Sequence, residues 1–319
     1  MIALLCPGQG SQTPGFLAPW LELPGVADRL AGLADVARVD LTAHGTTSDA
    51  DTIRDTAVAQ PLIVAAGLVT AGVLFPSVDA SADGVLPQVG AVAGHSVGEL
   101  TAAALTGVVT ADEAIGLVSE RGRAMAAASA VTATGMSAVL GGDPDEVAAT
   151  LARHGLTAAN ANGGGQVVAA GTLEQLAALT ADPPARTRVV PLQVAGAFHT
   201  AHMSPAVEAL AVAAKGITPR DPRTRLLSNA DGAVVTGGAE VLQRLVVQVS
   251  NPVRWDLCQQ TLADLGVSAA IELAPGGALA GLAKRALRGV PVVALKTPDD
   301  LDAARALISS PASPEGGPA

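Results

Sequence analysis

The chain alternates between short continuous apolar runs and longer stretches with helical periodicity. Ile2–Cys6 is an apolar run ended by Pro7-Gly-Gln-Gly-Ser-Gln12, and reads as a buried strand feeding a tight loop. Val89–Ala93 reads the same way and runs straight into Gly94. Between these two strands the spacing predicts a helix over 61–75 with Pro61 in its first turn, then a loop over 76–87 rich in Ser, Asp, Gly and Pro. A further helix is predicted from Leu100 to Thr106, and Thr110-Ala-Asp-Glu113 is a capping box that opens another. Strands alternating with helices indicate a parallel sheet covered on both faces.

After Ser129 the pattern changes. Strand-like segments at 136–140, 156–160, 167–170 and 188–194 are interleaved with helical patterns at 143–154 and 172–180. The order βαββαβ fits a small ferredoxin-like unit. The parallel pattern then resumes, with helices predicted over 205–215, 239–248, 253–265 and 277–287 and strands over 225–229 and 269–273. The expected organisation is a large α/β subdomain formed by 1–129 and 196–308, a ferredoxin-like small subdomain at 130–195, and a disordered tail over 309–319.

Composition narrows the functional classes. Of the 319 residues, 49% are hydrophobic but only 2% are aromatic and Tyr is absent, so Ala, Val and Leu must fill the core. The net charge of −10 and the small size of the basic clusters (Arg220, Arg223 and Arg225; Lys284, Arg285 and Arg288) argue against nucleic acid as a partner. Two cysteines, Cys6 and Cys258, make no disulfide framework. The most membrane-like stretch, 57–75, carries Gln60, Pro61 and two glycines, so a buried core helix is expected and no membrane association. The N-terminus lacks a basic segment and breaks at Pro7-Gly8, unlike a signal peptide, and a cytoplasmic monomer is expected.

The segment Gly94-His-Ser-Val-Gly98 has the G-x-S-x-G form of a nucleophile elbow, between a strand and a helix as that motif requires. Its glycines permit a sharp turn that lifts the Ser96 hydroxyl above the sheet, and the helix N-terminus offers N–H groups to a developing oxyanion. The plainer reading is a serine that caps the helix. A serine nucleophile needs a base. His44 and His154 read as surface residues, and His95 lies beside Ser96 with its side chain expected to point away. His199, in Gly196-Ala-Phe-His199, follows a strand in a small-residue loop and is the candidate base; the alternatives are a hydrogen-bonded loop histidine, or a metal pair with His202 for which no third ligand is visible. Arg121 falls on the apolar stripe of Ala114, Val118 and Met125. A buried guanidinium suits a carboxylate, from a substrate or from an internal salt bridge. The Gln9 loop is not a phosphate loop, and a backbone N–H there could join an oxyanion hole.

Together these motifs resemble the malonyl-CoA:acyl carrier protein transacylase family, including the acyltransferase domains of polyketide synthases. The likeness runs over roughly residues 2–296 and rests on PGQGSQ at 7–12, Gln60-Pro61, GHSVGE at 94–99, Arg121-Gly122 with Met125, GAFH at 196–199 and NPVRW at 251–255, in the family's order. The resemblance implies a hydrolase-like parallel-sheet core with the small subdomain inserted. It implies Ser96 as nucleophile, His199 as base, and the backbone N–H groups of Gln9 and Val97 as the oxyanion hole. The Gln248 carbonyl would orient the histidine, giving a Ser–His dyad, and Arg121 would grip the malonyl carboxylate with Gln60 beside it. Asn160 and Asn162 match a segment flanking the cleft, and Phe198 resembles the malonyl-selecting form of its loop. Gly163-Gly-Gly165 departs from the family, which often carries a proline there. The expected reaction is malonyl transfer from malonyl-CoA to an acyl carrier protein supplied in trans, with neither cofactor nor metal, for fatty acid or polyketide synthesis. A serine thioesterase or esterase using the same elbow is the alternative, and a carrier-binding module without catalysis is a third.

Overall fold

The computed structural model describes residues 1–76, 86 and 88–309. The strands are β1 (Ile2–Cys6), β2 (Val89–Gly94), β3 (Thr134–Gly141), β4 (Thr157–Gly163), β5 (Gln166–Thr172), β6 (Thr187–Pro191), β7 (Arg225–Leu227), β8 (Val234–Val235), β9 (Val253–Arg254), β10 (Ala269–Glu272) and β11 (Val292–Ala294). The larger sheet has the order β11-β10-β1-β2-β7-β8. Its strands pair in parallel except for the antiparallel β7–β8 edge. β1 is buried throughout, so its alternation divides the core rather than separating core from solvent. Ile2, Leu4 and Cys6 join the apolar cluster that holds the helix Thr56–Leu74. Ala3 and Leu5 face the opposite cluster, with Trp255, Leu262 and Leu279. The parallel sheet is thus covered on both faces.

The smaller sheet has the order β6-β3-β5-β4-β9. Its first four strands come from the βαββαβ stretch and carry the ferredoxin-like arrangement, with the helices Pro144–Arg153 and Leu173–Ala181 packed by Val147, Leu151, Leu176 and Leu179. The protein is a hydrolase-like α/β core with a ferredoxin-like α+β subdomain inserted. Gly163, Gly164 and Gly165 form the β4–β5 turn with φ of 75°, 58° and 75°. Three consecutive left-handed residues are the physical reason for glycine at this turn.

Several boundaries differ from expectation. The helix expected to begin at Pro61 begins at Thr56, because Asp55 caps it by accepting a hydrogen bond from the Ala57 N–H at 2.7 Å. Pro61 therefore lies inside the helix, and Gln60 is carried into the interior. The helix expected over 253–265 spans Trp255–Asp264, and Val253–Arg254 pairs in parallel with Asn160–Ala161 of β4. The small sheet therefore takes its last strand from outside 130–195. Expected tail residue Ser309 ends a helix, Leu301–Ser309; residues 310–319 and nearly all of the expected 76–87 loop lie outside the described residues. The membrane-like stretch is a core helix, with 78% of its most apolar window buried.

The cap at Asp55 links stability to the position of Gln60. Asp55→Ala should destabilise the protein by about 1 kcal/mol, the usual cost of losing such a cap. Chemical denaturation checks this.

Candidate active site

Ser96 lies past the carboxyl end of β2 with φ of 52°, in the left-handed region that disfavours non-glycine residues. The contacts around it show how this conformation is held. The neighbouring His95 N–H donates to the Cys6 carbonyl at the end of β1, at 3.0 Å. The Asn229 side chain spans the turn: its Nδ2 donates to the Gly94 carbonyl at 2.8 Å, and its Oδ1 accepts the Ser96 N–H at 2.7 Å. A Cβ on Gly94 would lie 2.1 Å from the Gly98 carbonyl carbon, and one on Gly98 would lie 2.2 Å from the Cys6 oxygen. Both glycines of the motif are therefore required by close backbone approach. Val97, not Ser96, is the N-cap of the helix Gly98–Leu105, and no side chain caps it. The capping reading of Ser96 fails for that reason.

The Ser96 hydroxyl instead meets His199, with Oγ and Nε2 2.7 Å apart. His199 is itself left-handed, with φ of 61°, and its N–H donates to the Val249 carbonyl at 2.9 Å. Its loop is fitted tightly. The Ala197 N–H donates to the Thr134 hydroxyl at 3.0 Å, and a Cβ on Gly196 would lie 2.4 Å from the Ser129 hydroxyl. His199 Nδ1 lies 2.9 Å from the Gln248 carbonyl, which can only accept, so Nδ1 carries the proton and Nε2 is left to accept from Ser96. Burial, then the positive charge of Arg121, lower the imidazole to about 3. The ring is neutral near pH 7, the form a general base requires.

Arg121 reaches the same hydroxyl from another direction. It is 2% exposed, on the helix Ala111–Ser129, and its Nη2 donates to Ser96 Oγ at 3.2 Å. Nη2 also donates to Gln248 Oε1 at 3.0 Å, and Nη1 to Gln60 Oε1 at 2.7 Å. Burial lowers the guanidinium to about 10, which still leaves it charged at neutral pH. Among the described residues Arg121 makes no direct salt bridge, since these three partners are neutral. The carboxylate behind them is Glu99, which takes the Gln248 Nε2 hydrogen bond on one oxygen and the Asn229 N–H on the other. Burial raises Glu99 above the ordinary carboxylate value, while the Asn229 N–H and then the Arg121 charge pull it back towards ionisation. With an N–H donor on each oxygen, the geometry is that of the ionised form.

The remaining expected residues lie around this centre. Gln9 follows β1, its Oε1 accepts from Gln60 Nε2 at 3.3 Å, and Gln60 also approaches Met125 Sδ at 3.4 Å. Neither the Gln9 nor the Val97 N–H is used in the backbone hydrogen bonds of these turns. Phe198 is buried with Met125, Met136 and Met203 in the seam between the subdomains. Asn162 Oδ1 lies 2.9 Å from His95 Nε2, so His95 is turned away from the Ser96 hydroxyl. Asn160 is buried on β4 and makes no hydrogen bond to Ser96 or Arg121. Sequence reasoning missed Glu99, Asn229 and the side chain of Gln248. Only Glu99 had a local signal, as the last residue of GHSVGE.

A neutral imidazole on a serine hydroxyl, at the carboxyl end of a parallel sheet, defines a serine enzyme that forms and breaks acyl bonds. The model of the acyl transferase domain family matches residues 3–304. The chain is 52% identical over 302 residues to the malonyl CoA-acyl carrier protein transacylase of Mycobacterium tuberculosis, covering 95% of this chain and 98% of that one. The crystal structure of MCAT from the same organism superposes with a TM-score of 0.89 at 53% identity, over 95% and 99% of the two chains. The structure described as a type II PKS acyl-carrier protein in complex with its malonyl-transacylase matches with a TM-score of 0.86 at 30% identity, over 95% and 98%. The chain belongs to the acyl transferase family, among the malonyl-CoA:acyl carrier protein transacylases, and is an acyltransferase.

Two outcomes follow from this geometry. Asn229→Ala leaves the Ser96 N–H and the Gly94 carbonyl unpaired, and should cost about 1–3 kcal/mol on denaturation while lowering acyltransferase activity. The second concerns acid. Folded His199 stays neutral down to about pH 3, whereas in the unfolded chain it takes a proton below its ordinary value of 6.5. The unfolded state thus binds more protons between those values, and its share of stability is lost as pH falls through them. His199→Ala should flatten the decline of Tm from pH 6.5 towards pH 3 relative to wild type.

Proposed function

We propose that this acyltransferase moves the malonyl group from malonyl-CoA to the phosphopantetheine thiol of an acyl carrier protein by a ping-pong route through malonyl-Ser96. The observation that carries the reading is a charged, buried Arg121 whose Nη2 lies 3.2 Å from the hydroxyl that His199 engages. Its contacts with amide oxygens and a hydroxyl leave the charge uncancelled by a direct anion, which suits the distal carboxylate of a malonyl group.

In the first half-reaction His199 Nε2 takes the Ser96 proton as Oγ bonds to the thioester carbon. The Gln9 and Val97 N–H groups hold the oxyanion. Collapse breaks the C–S bond, and His199 returns the proton to the CoA sulfur. In the second half the carrier thiol gives its proton to His199, attacks the malonyl-serine carbonyl, and Ser96 leaves with that proton. The Gln248 carbonyl steadies the imidazolium formed in each half. A malonyl carboxylate on Arg121 also cancels part of the positive charge that depresses His199. The base therefore strengthens when the correct acyl group is in place.

Gln60 and Phe198 line the acyl pocket in this reading, and Asn160 and Asn162 flank the entrance, Asn162 against His95. The reaction uses neither metal nor cofactor. The protein works as a cytoplasmic monomer, taking its carrier in trans for fatty acid synthesis and, where the carrier serves it, polyketide synthesis. The solved complex of a related malonyl-transacylase with an acyl-carrier protein supports that kind of partner.

Intact-protein mass spectrometry after brief mixing with malonyl-CoA tests the reading. The expected result is a gain of one malonyl group, absent in Ser96→Ala and discharged by added holo-acyl carrier protein. Turnover of malonyl-CoA to free malonate without a carrier would favour the thioesterase reading. Arg121→Ala should lose most of the preference for malonyl-CoA over acetyl-CoA, by a factor of about 30 or more, from the usual loss on truncating a desolvated charge partner. Steady-state rates with the two thioesters check that factor.

A further inference from the structure

We propose that Glu99 is a positioning residue for acyl-group selection: it fixes which way round the Gln248 side-chain amide lies, and that amide aims Arg121. The inference rests on the reading above that Arg121 receives the malonyl carboxylate.

The argument is one of donor and acceptor polarity. A glutamine amide has a donor end and an acceptor end. Gln248 lies between a carboxylate, which when ionised can only accept, and a guanidinium, which can only donate. Its Nε2 therefore faces Glu99 and its Oε1 faces Arg121 Nη2. Reversal would put an oxygen against a carboxylate and an N–H against a guanidinium. Glu99 is itself held on its other oxygen by the Asn229 N–H at 2.6 Å and is 6% exposed, so it has little freedom to follow a flipped amide. The Gln248 main chain is separately engaged through its carbonyl to His199 Nδ1. Only the side-chain amide is left for Glu99 to set.

The second holder of Arg121 is also an amide oxygen. Gln60 Oε1 accepts from Nη1 at 2.7 Å, and its Nε2 end is turned towards Gln9 Oε1 and Met125 Sδ. Two neutral oxygens thus orient the guanidinium, while the balancing negative charge sits one residue further away on Glu99. A carboxylate in direct contact would occupy the fork that the ligand needs. Glu99, placed beyond Gln248, offsets the charge and leaves the fork in place.

Glu99→Gln tests the idea with little change of volume. The Asn229 N–H keeps an oxygen acceptor, but the new amide presents N–H to Gln248. Gln248 must then reverse and set N–H against Arg121. The ratio of kcat/KM for malonyl-CoA to that for acetyl-CoA should fall about tenfold, mainly through a higher KM for malonyl-CoA. A residue that only supports the fold would lower both rates and leave the ratio alone, so an unchanged ratio overturns the proposal. Gln248→Met keeps the backbone carbonyl on His199 and removes the amide. It should lower the ratio in the same direction, and it carries the test if Glu99→Gln does not fold. Wild type and Arg121→Ala are run alongside. If wild type shows no malonyl preference, or Arg121→Ala retains it, the carboxylate reading fails and this inference with it. If Arg121→Ala loses the preference while Glu99→Gln and Gln248→Met keep it, only the role of Glu99 fails.

Discussion

Arg121 is a full charge removed from water, and the arrangement of the site follows from keeping it there. Burial of an ion is tolerated only when hydrogen bonds and a compensating charge replace the lost solvent. Gln60, Gln248 and the Ser96 hydroxyl supply the hydrogen bonds, and Glu99 supplies the charge through Gln248. The same residue that tethers the guanidinium by its side chain orients the His199 imidazole by its carbonyl. The guanidinium and the imidazole are therefore mechanically joined at Gln248. They are joined electrostatically as well, since the charge of Arg121 is the second cause, after burial, of the low basicity of His199.

The second constraint is backbone strain at both members of the dyad. Ser96 and His199 each hold a left-handed conformation that their side chains disfavour. Each is over-determined by contacts from elsewhere in the fold. The elbow is held by the end of β1 and by Asn229 after β7, and the histidine loop by Val249, Thr134 and Ser129. The small subdomain thus helps to hold the site. Its first strand anchors the loop that presents His199. Its edge is completed by β9 from the large subdomain, while Asn162 and Gln259 hydrogen-bond across the same seam.

Much of this was legible in one dimension. Continuous apolar runs marked β1 and β2, the capping box at Thr110 marked the helix that carries Arg121, and helical spacing put Arg121 on the inward stripe. The elbow was legible because its glycines, its serine and its flanking elements are all local. Segment boundaries were less so. Asp55 outcompeted Pro61 as a helix start, and Val253–Arg254 became a strand because an open edge of β4 lay beside it.

What the sequence determined by itself is whatever depends on neighbours a few residues apart: strand or helix, a sharp turn after β2, a charge on an apolar face, and the order of motifs that resembles a family. What only the tertiary structure decided is the pairing of polar groups far apart in the chain. Ser96 and His199 are 103 positions apart, Ser96 and Asn229 are 133 apart, and Glu99 and Gln248 are 149 apart. No local spacing encodes those hydrogen bonds. They exist because parallel strands end on one side of the sheet and because a buried donor or acceptor must find a partner wherever the fold brings one within reach.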